Sequence, residues 1–286
     1  MLRNADTAMY QAKAEGRNNY HFYTTELTRR VIERMKIESQ LRRAIDNHEL
    51  VIHYQPQVDL SSGRIVGAEA LLRWNSPDGP VSPAEFIPVA EQTGQINAIG
   101  RWVLTSVCDQ IRSWRDQGIN DLRVAVNLSA QQLSSPDLLA DVDAAIAAAG
   151  IPAEQVELEI TETAMMQDPA RAAQVMQAFR ERGLKLAIDD FGTGYSSLSY
   201  LKQLPIDYLK IDQSFVRGIP GDLDDLAIVD AIIALANSLE LVTIAEGVET
   251  RDQLDELRRR KCDLYQGYFF SRPLPVSAFE ALLRES

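Results

Sequence analysis

The chain has 286 residues, 45% of them hydrophobic, which is enough for a large folded core and excludes disorder as an overall description. Its formal net charge of -12, without a long run of Lys and Arg, argues against a nucleic-acid polymer as ligand, so an anionic ligand must be met by local cations or metal. Cys108 and Cys262 stand far apart, which fits a reducing cytoplasm and excludes a thiolate zinc centre, while His21, His48 and His53 lack the spacing of a metal motif.

No apolar stretch has the length of a membrane span and no signal pattern opens the chain. The expectation is a cytoplasmic unit without membrane contact of its own, which a longer parent protein can still attach to a membrane through N-terminal domains. Residues 1–24 read as the end of a domain: a short helix with Ala5, Ala8, Met9, Ala12 and Ala14, a Gly16-Arg17-Asn18-Asn19 turn, and a strand from Tyr20 to Tyr23. One helix and one strand cannot bury their apolar faces alone. The words Ala5-Asp6-x-Ala8-Met9-Tyr10-x-Ala12-Lys13 and Gly16-Arg17-Asn18 resemble the C-terminal end of a GGDEF domain, the fold of diguanylate cyclases. The signature loop of that family is absent, so cyclase activity is not expected.

From Thr25 to Ile45 the apolar positions Leu27, Val31, Met35, Leu41 and Ile45 recur at helical spacing among many charges. This predicts a connecting helix over 25–45, read first as a solvated linker and second as a signal-transmitting or dimer-forming helix. Residues 46–286 then alternate strand and helix. Strands are predicted at Leu50 to Val58, Ile65 to Leu72, Leu122 to Leu128, Val156 to Ile160, Leu184 to Asp189, Tyr208 to Ile211, Val242 to Ala245 and Leu264 to Gly267. Helical patterns fall near Pro83 to Glu91, Ile96 to Gln117, Leu138 to Ala149, Ala170 to Arg182, Leu223 to Leu239, Arg251 to Arg260 and Val276 to Leu283.

Eight strands alternating with helices predict an α/β fold, a TIM-like (β/α)8 barrel. The five residues Asp59-Leu60-Ser61-Ser62-Gly63 are too short for a parallel crossover, so the first strand should be irregular and antiparallel. An open doubly wound sheet is the competitor, but no Gly-x-Gly-x-x-Gly follows the opening strand.

Function in parallel barrels collects at the carboxyl ends of the strands. The predicted strands deliver Glu69, Asn127, Glu159, Asp189 with Asp190, Lys210, Glu246 and Gln266 there. Two ionised carboxylates about 4 Å apart repel by roughly 4 kcal/mol at an effective dielectric near 20, so Asp189 and Asp190 call for water, a proton or a cation between them. In a regular strand the two would face opposite sides, so sharing a site requires a bend, which the following Gly192 and Gly194 permit. An Asp capping the next helix is the plainer reading of that pair. Oxygen donors without imidazole or sulfur select Mg²⁺ or Mn²⁺ over zinc or copper, and their number suits two ions acting on a phosphodiester. Lys210, inside an apolar strand, needs an anionic or water partner and is placed to orient an attacking water. Glu157, two residues before Glu159, should face the same side and put another carboxylate inside the barrel. Trp74, Trp102 and Trp114 are expected as core or rim residues.

The motifs Glu69-Ala70-Leu71 with Leu72-Arg73-Trp74, Val126-Asn127-Leu128-Ser129, Glu159-Ile160-Thr161-Glu162, Asp189-Asp190-Phe191-Gly192-Thr193-Gly194, Lys210-Ile211-Asp212, Ala245-Glu246-Gly247-Val248-Glu249 and Gln266-Gly267-Tyr268 stand in one order. Together they resemble the EAL domains, phosphodiesterases that linearise cyclic di-GMP to pGpG. The resemblance implies Glu69, Asn127, Glu159 and Asp189 as ligands of a first metal, with Asp189, Asp190 and Glu246 at a second. It implies Lys210 as holder of the nucleophilic water, with Glu246 or the metals assisting deprotonation. It implies Arg73 on a substrate phosphate, Gln55, Pro56, Glu249 and Gln266 around the substrate, and Glu162 as anchor of the loop beginning at Phe191. Without that pattern, Arg73 pairing a surface acid and Glu162 as an ordinary first-turn residue would be preferred. Further implications are a homodimer and inhibition by Ca²⁺. The alternatives to the enzyme are a non-hydrolytic cyclic di-GMP receptor and a dimerising signal-relay module.

Overall fold

The computed structural model describes residues 25–194 and 201–285; the expected helix and strand within residues 1–24 lie outside the described residues. The described elements are α1 (Thr25–Leu41), β1 (Leu50–Asp59), β2 (Ile65–Ser76), β3 (Gly79–Val81), α2 (Pro83–Thr93), α3 (Ile96–Asp116) and β4 (Arg123–Leu128). They continue with α4 (Ala130–Leu133), α5 (Leu138–Ala149), β5 (Val156–Thr161), α6 (Glu162–Gln167), α7 (Pro169–Glu181), β6 (Lys185–Phe191) and β7 (Tyr208–Ile211). The chain ends on α8 (Gln213–Gly218), α9 (Leu223–Ser238), β8 (Val242–Ala245), α10 (Arg251–Arg259), β9 (Leu264–Tyr265), β10 (Leu274–Pro275) and α11 (Val276–Glu285). A short 3-10 turn at Ala153–Gln155 precedes β5.

The chain divides into two compact units, one of residues up to Val51 with Arg73–Ile96, the other of Ile52–Leu72 with Asn97 onward. In the smaller unit α1 packs on α2, and Lys36 Nζ reaches Asp78 at 2.9 Å. Trp74, 1% exposed, meets Phe86 edge to face at 5.6 Å between ring centroids and donates its indole N–H to Glu49. Thus α1 is docked rather than a solvated linker, because its Val31 and Leu41 are buried, although Ile32 and Met35 stay 54% exposed. The helix also stops at Leu41, four residues short of the expected Ile45.

In the larger unit, β2, β4, β5, β6, β7, β8 and β9 run parallel as successive neighbours. The first strand, β1, pairs antiparallel with β9 through Val58–Tyr265 and Asp59–Leu264, and also pairs with β2. Eight strands therefore close into a barrel, and the open doubly wound alternative fails on this closure. Strands buried on both faces read as apolar runs, as Leu186, Ala187 and Ile188 do, each 0% exposed. The outer helices carry one apolar stripe: Ile99, Val103, Val107, Ile111 and Trp114 of α3 are buried, with Trp102 at the edge. Each such buried side chain contributes about 1.5–3 kcal/mol. Trp114 also joins Tyr54 and Phe279 in an aromatic cluster with centroids 5.0–5.8 Å apart. Ends are fixed locally: Thr250 and Gln253 form a capping box on α10, and Gly150 closes α5 with a left-handed φ of 67°.

Candidate active site

Each parallel strand presents a polar side chain into the barrel mouth, at its carboxyl end or, on β2, where the parallel pairing with β4 stops. On β2, Glu69 is 6% exposed and accepts from Asn127 Nδ2 of β4 at 2.7 Å. Its other oxygen accepts from Gln266 Nε2, and Gln266 also donates to Gln55 Oε1 at 3.1 Å. Gln55 is held in turn by the Ser271 carbonyl at 3.2 Å. Asn127 and Glu159 sit opposite one another on β4 and β5, so the parallel register places their side chains side by side.

Lys210 is the centre of the arrangement. Its Nζ lies 2.7 Å from Glu246, 2.8 Å from Glu159, 3.1 Å from Asp189 and 3.7 Å from Glu69, and the side chain is fully buried. Burial lowers the pKa of an ammonium, but the surrounding carboxylates, Asp189 and Glu159 foremost, hold Lys210 well above its ordinary value. One ammonium cannot neutralise four acids. Burial accordingly pushes Glu159 well above the carboxylate range against the pull of Lys210, and repulsion from Glu69 and Asp189 adds to the rise. Glu69 is also pushed up by burial, yet Lys210 and the amides of Gln266 and Asn127 hold it below its usual value.

The bend that lets Asp189 and Asp190 share a site occurs at Asp190, which has φ +52° and lies within a register shift between Ile188 and Phe191 on β6, with Gly192 at φ +96° just beyond it. Aspartate tolerates the left-handed region better than most residues. The turn is fastened by Asp190 N–H donating to Asp189 Oδ1 at 2.9 Å and by Thr193 Oγ1 donating to the Asp190 carbonyl at 2.8 Å. It brings one oxygen each of Asp189, Asp190 and Glu246 within 4.8 Å of one another. Burial, then Asp189 and Asp212, raise Asp190 to about 6; burial raises Glu246 to about 8 against the pull of Lys210.

These residues fit a metal centre. The donors are all oxygen, Glu159 Oε1 is buried without a hydrogen-bond partner, and the acids exceed the cations. Glu69, Asn127, Glu159, Asp189, Asp190 and Glu246 could hold divalent cations there.

Glu162, the first residue of α6, is 1% exposed, and its Oε2 accepts from the Gly192 N–H at 3.0 Å. A Cβ at Gly194 would come within 2.8 Å of Glu162 Oε1, so a side chain there would displace the Glu162 carboxylate. Pro56 is buried on β1, whereas Glu249 is exposed and its backbone N–H, not its carboxylate, is held by Gln253. Arg73 is half-buried on β2 and belongs to the smaller unit.

Of the layer below, sequence reasoning named Glu157 but missed its partner Arg123. Glu157 does face inward, 0% exposed, and pairs with Arg123 Nε of β4. Arg123 donates to Tyr208 Oη at 2.7 Å and to Gln57 Oε1 at 2.9 Å while lying over the Tyr208 ring at 4.1 Å. The only local signal was a charged residue opening the apolar run Val124-Ala125-Val126, two positions before Ala125 and four before Asn127.

A family model described as the EAL domain matches residues 38–273. The chain is 45% identical over 285 residues to "Cyclic di-GMP phosphodiesterase NbdA" of Pseudomonas aeruginosa, covering 99% of this chain and 36% of that protein. It is 42% identical over 281 residues to "Cyclic di-GMP phosphodiesterase PdeR" of Escherichia coli, covering 98% of this chain and 42% of that protein. The chain thus spans about two-fifths of the length of these curated relatives. The solved structure described as "PaMucR Phosphodiesterase, c-di-GMP complex" superposes with a TM-score of 0.83 at 43% identity, covering 85% of this chain and 99% of that one.

Proposed function

Because the chain belongs to the EAL domain family, we propose that it hydrolyses cyclic di-GMP to linear pGpG. The observation that carries this reading is Lys210, buried among Glu159, Asp189, Glu246 and Glu69 at the carboxyl ends of their strands. Two relatives named as cyclic di-GMP phosphodiesterases support it.

Two divalent cations, Mg²⁺ or Mn²⁺, held by Glu69, Asn127, Glu159, Asp189, Asp190 and Glu246, supply charge neutralisation and a more acidic water when bound. Lys210 donates to the attacking water and fixes its direction. Glu246, 2.7 Å from Lys210 Nζ, stands where it can accept that water's proton. In-line attack on phosphorus breaks the P–O3′ bond and leaves a 5′-phosphate and a 3′-hydroxyl. Arg73 supplies a guanidinium to a substrate phosphate, and Gln55, Pro56, Glu249 and Gln266 border the ring of the dinucleotide. Glu162 anchors the loop from Phe191 and couples it to a homodimer interface. Ca²⁺, which tolerates looser coordination than Mg²⁺, would occupy the donors without supporting turnover. Residues 1–24 are the remnant of a preceding GGDEF domain, and the unit works in the cytoplasm.

The test is turnover of cyclic di-GMP with Mn²⁺, read as pGpG by chromatography. Turnover is expected, with loss on EDTA addition and in Glu69→Ala. Absence of pGpG from folded, Mn²⁺-loaded protein would refute the reading.

A further inference from the structure

The first residues of β6, β7 and β8, Lys185, Tyr208 and Val242, border a cavity of about 480 Å³ at the amino ends of the strands, opposite the carboxylate cluster. In parallel barrels that face ordinarily serves stability rather than chemistry. Its charge is unusual for this chain. Arg180, Lys185 and Lys202 line it against two acids, Asp207 and Glu240, in a protein of net charge -12.

Lys185 is committed to Asp207 at 2.9 Å, and the second Asp207 oxygen accepts from the Leu186 N–H at 3.1 Å. Neither Arg180 nor Lys202 has an ion-pair partner among the described residues. Half-buried Leu204, Pro205, Leu239 and Val242 add a smaller apolar patch to this mostly polar lining, with Tyr208 beside it. A guanidinium and an ammonium with no ion-pair partner among the described residues, next to a small apolar patch, suit a phosphate monoester on an apolar body, and the Arg fork matches phosphate geometry. The volume lies within the usual range of small-molecule sites, roughly 300–1,000 Å³.

Tyr208 connects this cavity to the interior. Its hydroxyl accepts from Arg123 Nη1 at 2.7 Å, and Arg123 pairs with Glu157. Two residues along the same strands stand Lys210 and Glu159, which meet at 2.8 Å. Each of these two strands therefore carries one residue of the Arg123 network and one residue of the proposed catalytic layer on the same side.

We propose that the cavity at the amino ends of β6, β7 and β8 binds a small phosphate monoester with an apolar body, and that occupancy is transmitted through Tyr208 to the catalytic layer. The binding clause is independent of the phosphodiesterase reading; the transmission clause rests on it.

The experiment is calorimetric titration of the EDTA-treated chain with adenosine 5′-monophosphate and, separately, inorganic phosphate. Adenosine 5′-monophosphate should bind, inorganic phosphate more weakly. Binding should weaken about tenfold or more in the double variant Arg180→Glu, Lys202→Glu, both at exposed positions, and persist in Arg73→Ala. No binding to the wild type, binding that survives the double charge reversal, or loss in Arg73→Ala alone would each overturn the site. Phosphate binding as tightly as the nucleotide would overturn the apolar body. In the turnover assay, saturating nucleotide should change kcat by about fivefold with KM unchanged, and should do nothing in Tyr208→Phe, which keeps the binding. An unchanged wild-type kcat would overturn the transmission clause and leave the site standing. A chain with no turnover at all would sink the phosphodiesterase reading and that clause, with the binding result still decisive for the site.

Discussion

Lys210 donates to Glu159 across 2.8 Å inside the barrel, and neither side chain has any exposed surface. Breaking such a pair by removing one partner leaves an uncompensated buried charge, which costs about 3–5 kcal/mol. Lys210→Met should therefore lower the stability of the metal-free protein by that amount in urea denaturation with EDTA, and abolish turnover. Added divalent cation should recover part of the stability without the activity. Unchanged stability in EDTA would show that the carboxylates do not depend on the ammonium.

The same cage sets a pH dependence. Glu246 is raised from 4.5 to about 8, and Asp190 from 3.8 to about 6. The folded state thus holds protons that the unfolded state has released, so this contribution is full below the unfolded values and declines as pH climbs through the folded ones. Melting temperature in EDTA should fall between about pH 4 and pH 8, with a shallower slope in Glu246→Gln. A saturating divalent cation displaces those protons, so its apparent affinity should tighten over the same window. A cation affinity that is flat with pH would remove Asp190 and Glu246 from the ligand set.

Glu162 touches the loop rather than the cage. Glu162→Gln keeps the size but replaces the charged acceptor of the Gly192 N–H, a contact worth about 1.5–3 kcal/mol. Cation affinity and turnover should both drop, with little effect on the isolated Lys210 cage as read by stability in EDTA. Wild-type affinity and turnover would show that the loop is held by other contacts.

Below the cage, Glu157 and Arg123 form a buried pair of a different kind. Glu157→Leu and Arg123→Met should each destabilise by about 3–5 kcal/mol, whereas the double variant should lose less than the sum. Additive losses in denaturant unfolding would mean that the two side chains do not depend on one another.

Gly267 has no room for a side chain: a Cβ would come within 2.1 Å of the Val248 carbonyl oxygen. Gly267→Ala should shift the backbone that aims Gln266 at Glu69, reducing turnover while β8 and the core persist. Full activity in that variant would detach Gln266 from the catalytic layer.

The barrel was legible because β4 to β8 are short apolar runs between amphipathic helices, and their ends announce polar residues one by one. Tyr208–Ile211 and Val242–Ala245 fall where the pattern puts them. The five-residue Asp59 to Gly63 connection revealed the antiparallel first strand through length alone. What stayed hidden depends on distance in sequence. Arg123 finds Gln57 66 positions away and Tyr208 85 positions away, and no local periodicity encodes such a meeting. The bend at Asp189 and Asp190 was foreseen, because adjacent carboxylates share a site only if the strand breaks there; that Asp190 itself takes a positive φ beside Gly192 was not legible.

Closure by β1 has a consequence for the order of assembly. Gln266 meets Gln55 across 211 positions and Glu69 across 197, and β1 finds its second neighbour only when Leu264 and Tyr265 arrive. Contacts of that separation carry the largest loop-closure entropy and form late. During synthesis the ribosome must therefore release nearly the whole chain before the mouth of the barrel is complete, and a nascent chain stopped short of β9 holds its acidic residues with no finished ring to gather them.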